Sequence, residues 1–510
     1  MAARVYIVGA GPGDPGLISV RGRQCLERAD VVVHDHGVSA DTLLMAPEGA
    51  ERIDVGAAAP SAADQDAISY LVTEKAREGR VVVRLKWGDP FVFDSGGKEA
   101  IFLHEQGIPF EVVPGIPLAV AGPAYAGVPL TYPGAGDAVV IVRGHEGDRE
   151  AAAEIEWGKL SEVGGTIDCY AGARQIEGIT RALVANGRSP VEAAVLVYDA
   201  TTPRQRTIRG AVGDIALHAA PDRPALLVVG PVAGFRDHLR WFDTRPLFGR
   251  RILVTRAREQ ARELVHRLEA LGAETVKMPT IRIVPPADSG PLDTACDEVE
   301  TFDWIVFTSV NGVQRFMRRF LERRDVRDLK GVGLCTVGPA TAAALAVYGV
   351  RVDLTAEEYR SEGVAESLVR TGRVAGSRIL LPRAEVARAI LADALRQAGA
   401  QVVEVVVYRT VAAVEGSGPD MYRLLLDRQI DAVTFTSAST VRSFVRAIGE
   451  EQAPDLLRST VIAAIGPVTA EAAQQLGLVA AVVPAEYTVS GLVEALVGYF
   501  EQHPQAAAAL

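Results

Sequence analysis

The stretch that decides the fold of the first half of the chain reads VYIVGAGPGDPGL, from Val5 to Leu17. Its apolar start is typical of a buried strand. The loop that follows the strand combines four glycines with two prolines and an aspartate. Glycine leaves the backbone without a Cβ atom, and proline stiffens it. Such a loop lets a ligand touch the main chain, so we predict a binding site directly after the first strand.

Three glycines of this loop, between Gly11 and Gly16, also fit the GxGxxG spacing of a dinucleotide-binding loop. Asp35 follows the next apolar run, where such folds carry a ribose-binding acid. Pro12 and Pro15 oppose this interpretation, because they lack the N–H donors that a pyrophosphate needs. NAD(P) binding therefore remains a minor alternative at this stage.

Composition limits the classes of partner. The formal net charge of −11 disfavours nucleic acid, which is bound by basic surfaces. No apolar run approaches the roughly 20 residues of a membrane helix. The four cysteines are far apart, and His34 and His36 have no obvious third metal ligand nearby. We expect a cytoplasmic protein with no metal, membrane or nucleic-acid partner.

Apolar runs and helix-compatible segments alternate along the first half, which predicts an α/β fold in two lobes. The turn-rich segment from Tyr132 to Asp137 is the predicted linker. The predicted helices are 19–29, 41–51 and 64–78, and the predicted strands are 5–8, 31–33, 81–85, 107–113, 138–142, 166–170, 195–198 and 225–229.

The second half repeats itself. The segment Phe307 to Val313 matches Phe435 to Val441 at a separation of 128 residues, and the Gly-Pro-x-Thr motifs at Gly338 and Gly466 have the same separation. Each motif comes before a helical segment, where hydroxyl side chains cap helices. One interpretation is that they cap only their own helices. The other is that several helix N-termini in a shared cleft bind several carboxylates.

The first half resembles the uroporphyrinogen-III C-methyltransferases. The resemblance implies a two-lobed tetrapyrrole-methylase-like fold, S-adenosylmethionine as the cofactor and a tetrapyrrole as the methyl acceptor. The motifs that carry it lie in the family's order over residues 3–244: GAGPGDPGL, GRVVVRLK followed by GDPFVF (Gly79 to Phe93), PGI (Pro114 to Ile116), PAYAGVPLT (Pro123 to Thr131) and TTPRQR (Thr201 to Arg206).

The same resemblance implies the site residues. Asp35 stands at the family's proton acceptor. The positions that match its cofactor contacts are Pro12, Trp87, Gly88, Asp89, Val92, Pro117, Leu118, Ala171 and Gly230.

The chain also departs from this family. Ala57 and Ala58 replace a Lys-Arg pair, Trp87 replaces a glycine, Asp94-Ser95 replaces Gly-Arg, and Ala171 replaces a methionine. A charge-assisted bond to a substrate carboxylate is worth about 1.5 to 3 kcal/mol. The sequence therefore leaves three alternatives for this half: methylation of uroporphyrinogen III, methylation of another, less anionic acceptor, or a catalytically inactive ligand-binding or scaffold role.

The second half resembles uroporphyrinogen-III synthase, a family of two interleaved flavodoxin-like α/β lobes. The ordered motifs are VTRA (Val254 to Ala257), LGA (Leu271 to Ala273), FTSVNG (Phe307 to Gly312), VGPAT (Val337 to Thr341), VVYRT (Val406 to Thr410), FTSAST (Phe435 to Thr440), IGPVT (Ile465 to Thr469) and YTVSGLVEAL (Tyr487 to Leu496). The resemblance implies closure of hydroxymethylbilane, which has eight carboxylates, to uroporphyrinogen III with inversion of the last ring and no cofactor.

Tyr408 is the candidate proton donor of this half, and its alternative role is that of an aromatic packing between lobes. The resemblance assigns carboxylate binding to Thr255, Arg256, Ser309, Asn311, Gly312, Gly338, Thr341, Ser437, Ser439, Thr440, Gly466, Thr469 and Ser490.

The predicted domains are 1–245, with lobes of about 1–133 and 134–245, and 246–510, with lobes of about 250–285 plus 411–500 and 286–410. The expected partners are hydroxymethylbilane and uroporphyrinogen III, and a homodimer through the first half is the default that its resemblance implies. The sequence does not decide whether sirohaem, cobalamin or haem is the end product.

Overall fold

The computed structural model describes residues 5–56, 62–144, 155–256, 258–278, 281–357, 361–385, 389–412 and 421–504. Residue contacts divide the chain into two compact units. One comprises Met1–Ile252, His266–Thr275 and Val497–Leu510, and the other comprises Leu253–Val265 and Val276–Leu496. The predicted domain boundaries stay a prediction.

The first lobe of unit 1 is an all-parallel sheet in the order β3-β2-β4-β1-β5. Its strands are β1 (Val5–Gly9), β2 (Val31–His34), β3 (Glu51–Asp54), β4 (Val82–Lys86) and β5 (Phe110–Val113). The helices are α1 (Val20–Leu26), α2 (Ala40–Leu43), α3 (Ala62–Arg77), α4 (Gly96–Glu105) and α5 (Leu118–Tyr125).

The predicted helix 41–51 is wrong over most of its length. α2 ends after one turn at Leu43, and Glu51–Asp54 forms the edge strand β3 instead. Pro47 lies between them, and its ring removes a backbone N–H that a continuing helix would need. The short alternation of exposed and half-buried residues in β3 is too weak a pattern to identify a strand.

The second lobe of unit 1 is a mixed sheet in the order β6-β7-β10-β8-β9, in which only β6 and β7 are parallel. Its strands are β6 (Val139–Arg143), β7 (Thr166–Ala171), β8 (Ala193–Tyr198), β9 (Arg206–Ala211) and β10 (Ala225–Val229). The helices of this lobe are α6 (Trp157–Glu162), α7 (Ile176–Ala185) and α8 (Arg236–Leu239). α5 of the first lobe packs on β7 and β10.

The second half of the chain forms two further sheets, in the orders β12-β11-β19-β20 and β13-β18-β17-β14-β15-β16. The strands are β11 (Arg251–Val254), β12 (Glu274–Lys277), β13 (Ile281–Val284), β14 (Trp304–Phe307), β15 (Gly333–Thr336), β16 (Leu354–Thr355), β17 (Arg378–Ala384), β18 (Gln401–Ala412), β19 (Ala432–Phe435) and β20 (Val461–Ala464). The first sheet takes strands from both ends of this half, so the predicted interleaving is confirmed.

The helices of the second half lie between these strands. They are α9 (Arg258–Ala270), α10 (Gly290–Asp297), α11 (Val310–Leu321), α12 (Pro339–Ala346), α13 (Ser361–Arg370), α14 (Ile390–Gln397), α15 (Met421–Leu426), α16 (Ala438–Ile448), α17 (Ala453–Leu456), α18 (Pro467–Gln474) and α19 (Val489–Gln502). Among the described residues, no helix has the length and apolar character needed to cross a bilayer.

The internal repeat is also visible in the packing. In the larger sheet Phe307 meets Phe316 edge-on at a centroid distance of 5.6 Å. In the smaller sheet Phe435 meets Phe444 edge-on at 5.5 Å. All four side chains are fully buried, and each pair joins a strand to the helix that follows it. The two lobes therefore use the same core contact to place a helix N-terminus at the end of a strand.

Candidate functional site

In unit 1, three loops meet at the carboxyl edge of the parallel sheet. A Cβ atom on Gly9 would lie 2.5 Å from Gly115 Cα, and one on Gly115 would lie 2.1 Å from Gly88 O. The Gly88 N–H also donates to Gly11 O at 2.9 Å. The loops after β1, β4 and β5 therefore pack backbone against backbone, and only glycine fits there. Open α/β sheets bind their ligands at this edge.

Asp89 connects two of these loops. Its carboxylate accepts the Gly115 N–H at 2.9 Å and the Phe91 N–H at 2.8 Å. Pro117, the residue before α5, and the half-buried Val92 lie on the same two loops. The structure thus brings together the predicted cofactor residues of the first lobe: Pro12, Trp87, Gly88, Asp89, Val92, Pro117 and Leu118.

The glycine loop is tied to α5 and to the second lobe by residues that sequence reasoning did not assign. The Asp14 carboxylate accepts the Tyr125 hydroxyl at 2.8 Å, and the Asp14 N–H donates to Thr201 Oγ1 at 3.2 Å. Burial and Asp14 both raise the pKa of Tyr125. Asp199 and Thr201 have positive φ angles of 42° and 68°, which are uncommon for residues other than glycine. The turn after β8 therefore contacts the glycine loop at the carboxyl edge of the parallel sheet.

Gly230 is not part of this edge. β10 runs antiparallel to β7, with Ala225 opposite Ala171 and Val229 opposite Ile167. Gly230 follows Val229 and thus lies at the other end of the sheet, where a Cβ atom on it would be 3.1 Å from Gly165 O. Ala171 does lie at the end of β7 near the start of α5, beside Tyr170, whose hydroxyl accepts the Ala119 N–H. Gly230 is therefore removed from the candidate cofactor residues.

Asp35, the candidate proton acceptor, is held by two donors. Arg84 Nη2 lies 2.5 Å from one carboxylate oxygen, and the Trp87 N–H donates to the other at 3.0 Å. A quarter of its side-chain surface is exposed. The Trp87 indole lies against the backbone of Gly37: a Cβ atom added to Gly37 would be only 3.2 Å from Trp87 Cδ1. The indole thus packs on the loop that carries Asp35.

Behind Asp35 lies a row of alternating charges. Arg84 also pairs with Glu99 at 3.1 Å, Glu99 pairs with Lys86 at 2.9 Å, and Lys86 pairs with Asp94 at 3.0 Å. The three middle side chains are at most 3% exposed, whereas Asp94, like Asp35, is about a quarter exposed. We call Asp35, Arg84, Glu99, Lys86 and Asp94 the charge row.

Burial and the neighbouring charges of the row together shift the pKa values of its carboxyl groups Glu99 and Asp94. Burial opposes ionisation of Glu99, but the charges of Arg84 and Lys86 outweigh it and lower the pKa of Glu99 to about 2. Burial raises the pKa of Asp94, with Lys86 acting against this shift. Lys86 is thus neutralised within the chain by residues that include Asp94, which stands where the resembling family has glycine. Ala57 and Ala58, the other departures from that family, lie outside the described residues.

The pKa of Glu99 predicts how the acid stability of unit 1 depends on pH. Because its folded pKa is lowered from 4.5 to about 2, its carboxylate stabilises the fold above about pH 4.5, and this contribution is lost as the pH falls through about 2. The difference in unfolding free energy between the parent chain and Glu99→Gln should therefore narrow from pH 5 towards pH 2.5. Urea unfolding at several pH values measures it, and a constant difference would contradict the assignment.

In unit 2, the candidate residues lie at the carboxyl ends of neighbouring strands. β14 and β15 are parallel, with Phe307 beside Thr336, so Ser309 and Gly338 lie at one edge. β19 and β20 are parallel, with Phe435 beside Ala464, so Ser437 and Gly466 lie at the matching edge of the smaller sheet. Each of the four residues is the N-cap of a helix.

Several predicted hydroxyls are used inside the protein. Thr255 is fully buried and donates to Thr434 O at 2.8 Å. Thr440 is buried and donates to Ser437 O at 2.7 Å, and Thr341 and Thr469 are at most 5% exposed. Thr255 and Thr440 therefore support a strand end and a helix start, and all four side chains are corrected from accessible carboxylate-binding side chains to buried ones.

The other predicted side chains reach the surface. Ser309 and Ser437 accept N–H groups of their own helices, Gly312 at 3.0 Å and Thr440 at 3.2 Å. The capping interpretation of these hydroxyls is confirmed, and because both serines remain half-exposed, carboxylate binding by them stays a prediction. Burial lowers the pKa of Arg256, a half-buried cation at the end of β11. The candidate side chains that reach the surface are those of Arg256, Ser309, Asn311, Ser437, Ser439 and Ser490, whereas Gly312, Gly338 and Gly466 are buried.

Tyr408, on β18, points at the Ser309 edge. Its hydroxyl lies 3.4 Å from Ser309 Oγ, and 8% of the residue is exposed. Its ring belongs to the core of the larger sheet. Tyr408 thus packs in the core of one lobe and places its hydroxyl beside Ser309, and its role as a proton donor stays a prediction.

Both halves are α/β modules whose candidate residues lie at the carboxyl ends of strands. In comparisons with known proteins, residues 4–216 match the family model for tetrapyrrole (corrin/porphyrin) methylases, and residues 262–494 match that for uroporphyrinogen-III synthase HemD. These matches place both modules in the tetrapyrrole-modifying class. The porphyrin biosynthesis protein HemD of Ruminiclostridium josui is 36% identical over 96% of this chain and 97% of its own length. The chain belongs to this family of fused tetrapyrrole biosynthesis proteins.

Two further relatives cover the first half. The uroporphyrinogen-III C-methyltransferase of Bacillus subtilis (strain 168) is 38% identical over 47% of this chain and 95% of that protein. A crystal structure of uroporphyrin-III C-methyltransferase from Thermus thermophilus, complexed with S-adenyl homocysteine, is 35% identical, covers 45% of this chain and 99% of that one, and superposes with a TM-score of 0.40. The chain thus carries a uroporphyrinogen-III synthase domain and a uroporphyrinogen-III C-methyltransferase-like domain.

Proposed function

We propose that the second half closes hydroxymethylbilane to uroporphyrinogen III with inversion of the last ring. The observation that carries this proposal is the matched pair of strand-end edges in unit 2, each with two helix N-termini. Backbone N–H groups and hydroxyls at such termini bind carboxylates, and the substrate has eight of them. Arg256 adds a cation at the end of β11.

The reaction needs little besides control of geometry. The substrate loses its hydroxyl as water to give an electrophilic azafulvene, and the enzyme selects the carbon that attacks it. Tyr408 would protonate the departing hydroxyl: its O–H bond and the C–O bond of the substrate break, water leaves, and the pyrrole N–H proton passes to the phenolate as the azafulvene forms. The carboxylate-binding groups would hold the linear tetrapyrrole in a geometry that prevents the uncatalysed closure, in which the last ring is not inverted.

Tyr408→Phe tests this role. The variant keeps the ring in its core but removes the hydroxyl, so kcat should fall about a hundredfold while KM stays within a factor of two. Tyr422→Phe, at an exposed tyrosine of α15, is the matched control. Rates of uroporphyrinogen III formation from hydroxymethylbilane give both constants. An unchanged kcat would limit Tyr408 to packing.

For the first half, we propose binding of S-adenosylmethionine at the carboxyl edge of the parallel sheet. The glycine contacts between the loops after β1, β4 and β5 support it, because they expose main chain without Cβ atoms. Pro12, Trp87, Gly88, Asp89, Val92, Pro117, Leu118 and Ala171 would hold the cofactor, which supplies an electrophilic methyl group. Asp35 would accept the proton that a methylated pyrrole loses.

The acceptor of the methyl group is the finer part of this proposal. Uroporphyrinogen III is the first candidate. Asp94 and Glu99 neutralise Lys86, so this cation is not available to bind a substrate carboxylate. A less anionic acceptor is therefore the second candidate. A scaffold role for this half requires that neither acceptor is methylated although the ligand binds.

Calorimetric titration of S-adenosylhomocysteine into the full chain tests the cofactor site. We expect micromolar affinity, and no detectable heat at any temperature would refute cofactor binding. Tyr125→Phe removes the hydroxyl bonded to Asp14 and should weaken binding about tenfold, since one such bond is worth about 1 kcal/mol or more. Tyr132→Phe, at an exposed tyrosine, is its control.

We also propose a homodimer through unit 1. Exposed apolar side chains of that unit, Val120, Leu239 and Trp241, support it, each at least 42% exposed. Val120 and Leu239 also line a surface cavity of about 350 Å³. Light scattering of the full chain measures the state, and Leu239→Glu should shift a dimer towards monomer.

A further inference from the structure

Asp168, in the middle of β7, is 0% exposed, and neither carboxyl oxygen has a hydrogen-bond partner among the described residues. Its neighbours Ile167 and Cys169 belong to the core beneath α7. Side chains alternate along a strand, so Asp168 faces the other side, with Thr166 and Tyr170.

That other side of β7 is covered by α5 and the residues after it. Tyr170 accepts the Ala119 N–H at 3.0 Å, and Thr166 donates to Leu130 O at 2.7 Å. Asp168 lies between these two anchors on the same face. The apolar cluster there includes Val128 and Val228, the residue opposite Asp168 on β10.

The elements around Asp168 bring no counter-charge to it. α5 contributes one titratable group, the Tyr125 hydroxyl, which is bonded to Asp14. β6 places Ile141 beside Asp168 and the exposed Arg143 beside Tyr170.

The residues after α5 contact a cation of α8 that is already paired. Arg236 donates to Ala126 O and to the carboxylate of Asp243. Burial alone raises the pKa of Asp168 well above its usual range. An ionised carboxylate without a partner is costly in such a place, so Asp168 is a neutral acid in the packed structure.

We propose that Asp168 is a positioning residue of the cofactor pocket, acting through α5 and Tyr170. α5 begins with Leu118 and Ala119, beside the candidate cofactor residue Pro117, and it is fastened at that end by Tyr170. When Asp168 ionises, its charge needs water or a cation, which requires α5 to lift from the sheet. The packed arrangement of Pro117, Leu118 and Ala119 then loosens, and the pocket loses affinity. This inference rests on the proposed cofactor function of the first half.

The test compares the parent chain with Asp168→Asn in the full-length protein between pH 6.5 and 9.5. Titration with S-adenosylhomocysteine should show affinity that falls in the parent above one midpoint by up to about tenfold per pH unit, as one linked proton requires. Asp168→Asn cannot ionise and should hold a constant affinity. Asp222→Asn, at an exposed aspartate in the turn before β10, should behave like the parent.

A second measurement does not depend on ligand. Hydrogen exchange of the peptide that contains α5, compared between parent and variant at each pH, should show protection lost only in the parent at high pH. Asp168→Val replaces the asparagine variant if the latter folds poorly, since a β-branched residue suits this strand.

The outcomes separate the two proposals. The positioning role is supported if both the affinity and the protection of α5 depend on pH in the parent chain and neither depends on pH in the variant. Equal pH profiles in parent and variant overturn it, and so does loosening of α5 without a change in affinity. Failure of every variant to bind S-adenosylhomocysteine at every pH refutes the cofactor proposal itself, together with the inference built on it.

Discussion

Replacement of Glu99 by glutamine is expected to destabilise unit 1 by about 3 to 5 kcal/mol at neutral pH, a large part of the stability of a typical domain. Glu99 is the shared partner of Arg84 and Lys86, both at most 2% exposed. Without its charge, the middle of the charge row would hold two buried cations against two carboxylates at its ends. Glutamine has almost the same shape, so the loss is electrostatic and leaves no cavity.

The measurement must separate the units. Hydrogen-exchange pulses at increasing urea concentration, read for peptides from β4 and from β14, report the unfolding of unit 1 and unit 2 individually. The β4 transition should move to lower urea while the β14 transition stays in place. Glu105→Gln removes a charge from the exposed end of the same helix and should shift neither. A shift no larger than in this control would mean that the charge row is not a stabilising element.

Replacement of Arg256 by glutamine is expected to lower kcat/KM for the closure of hydroxymethylbilane about 10- to 150-fold, the worth of one charge-assisted bond of about 1.5 to 3 kcal/mol. Among the candidate carboxylate-binding side chains that reach the surface, Arg256 is the one cation. It is half-buried, and burial lowers its pKa, so its charge is poorly solvated and its bond to a carboxylate is strengthened.

Arg442→Gln is the matched control, because Arg442 is an exposed arginine of α16 in the same sheet layer. Arg256→Lys should recover part of the loss, since the ammonium group restores charge without the fork of donors. Parallel losses in Arg256→Gln and Arg442→Gln would indicate a field effect of net charge. An unchanged rate in Arg256→Gln would remove the residue from the site.

The strand ends could be predicted from the sequence, because their signal is local. In Val5 to Leu17 the apolar run, the glycines and the prolines all lie within a few residues, and the loop is found where they place it. The repeat of Phe307 to Val313 at Phe435 similarly predicted two matching helix starts. Sequence patterns of this kind identify the edge of a sheet where ligands bind.

The direction of a side chain or strand could not be predicted in the same way. β10 was identified correctly, but only its antiparallel pairing with β7 shows that Gly230 lies at the far end of the sheet. Thr255 and Arg256 are adjacent in sequence, yet one side chain is fully buried and the other is half-exposed.

The charge row depends on contacts between distant parts of the chain. Arg84 and Lys86 alternate with apolar residues in β4, a pattern typical of charged side chains that face solvent. In the structure, Glu99 of α4 pairs with both of them. The links among Asp14, Tyr125 and Thr201 join residues up to 187 positions apart. Thr201 stood in a motif that was recognised, but its hydrogen bond required the fold.

The central claim is that the second half controls which carbon closes the tetrapyrrole ring. The most direct measurement is to incubate the full chain with hydroxymethylbilane, oxidise the product and separate the type I and type III isomers of uroporphyrin by chromatography. We predict type III as the main product, formed faster than the uncatalysed closure and without added S-adenosylmethionine or metal. Type I alone, at the uncatalysed rate, would contradict it.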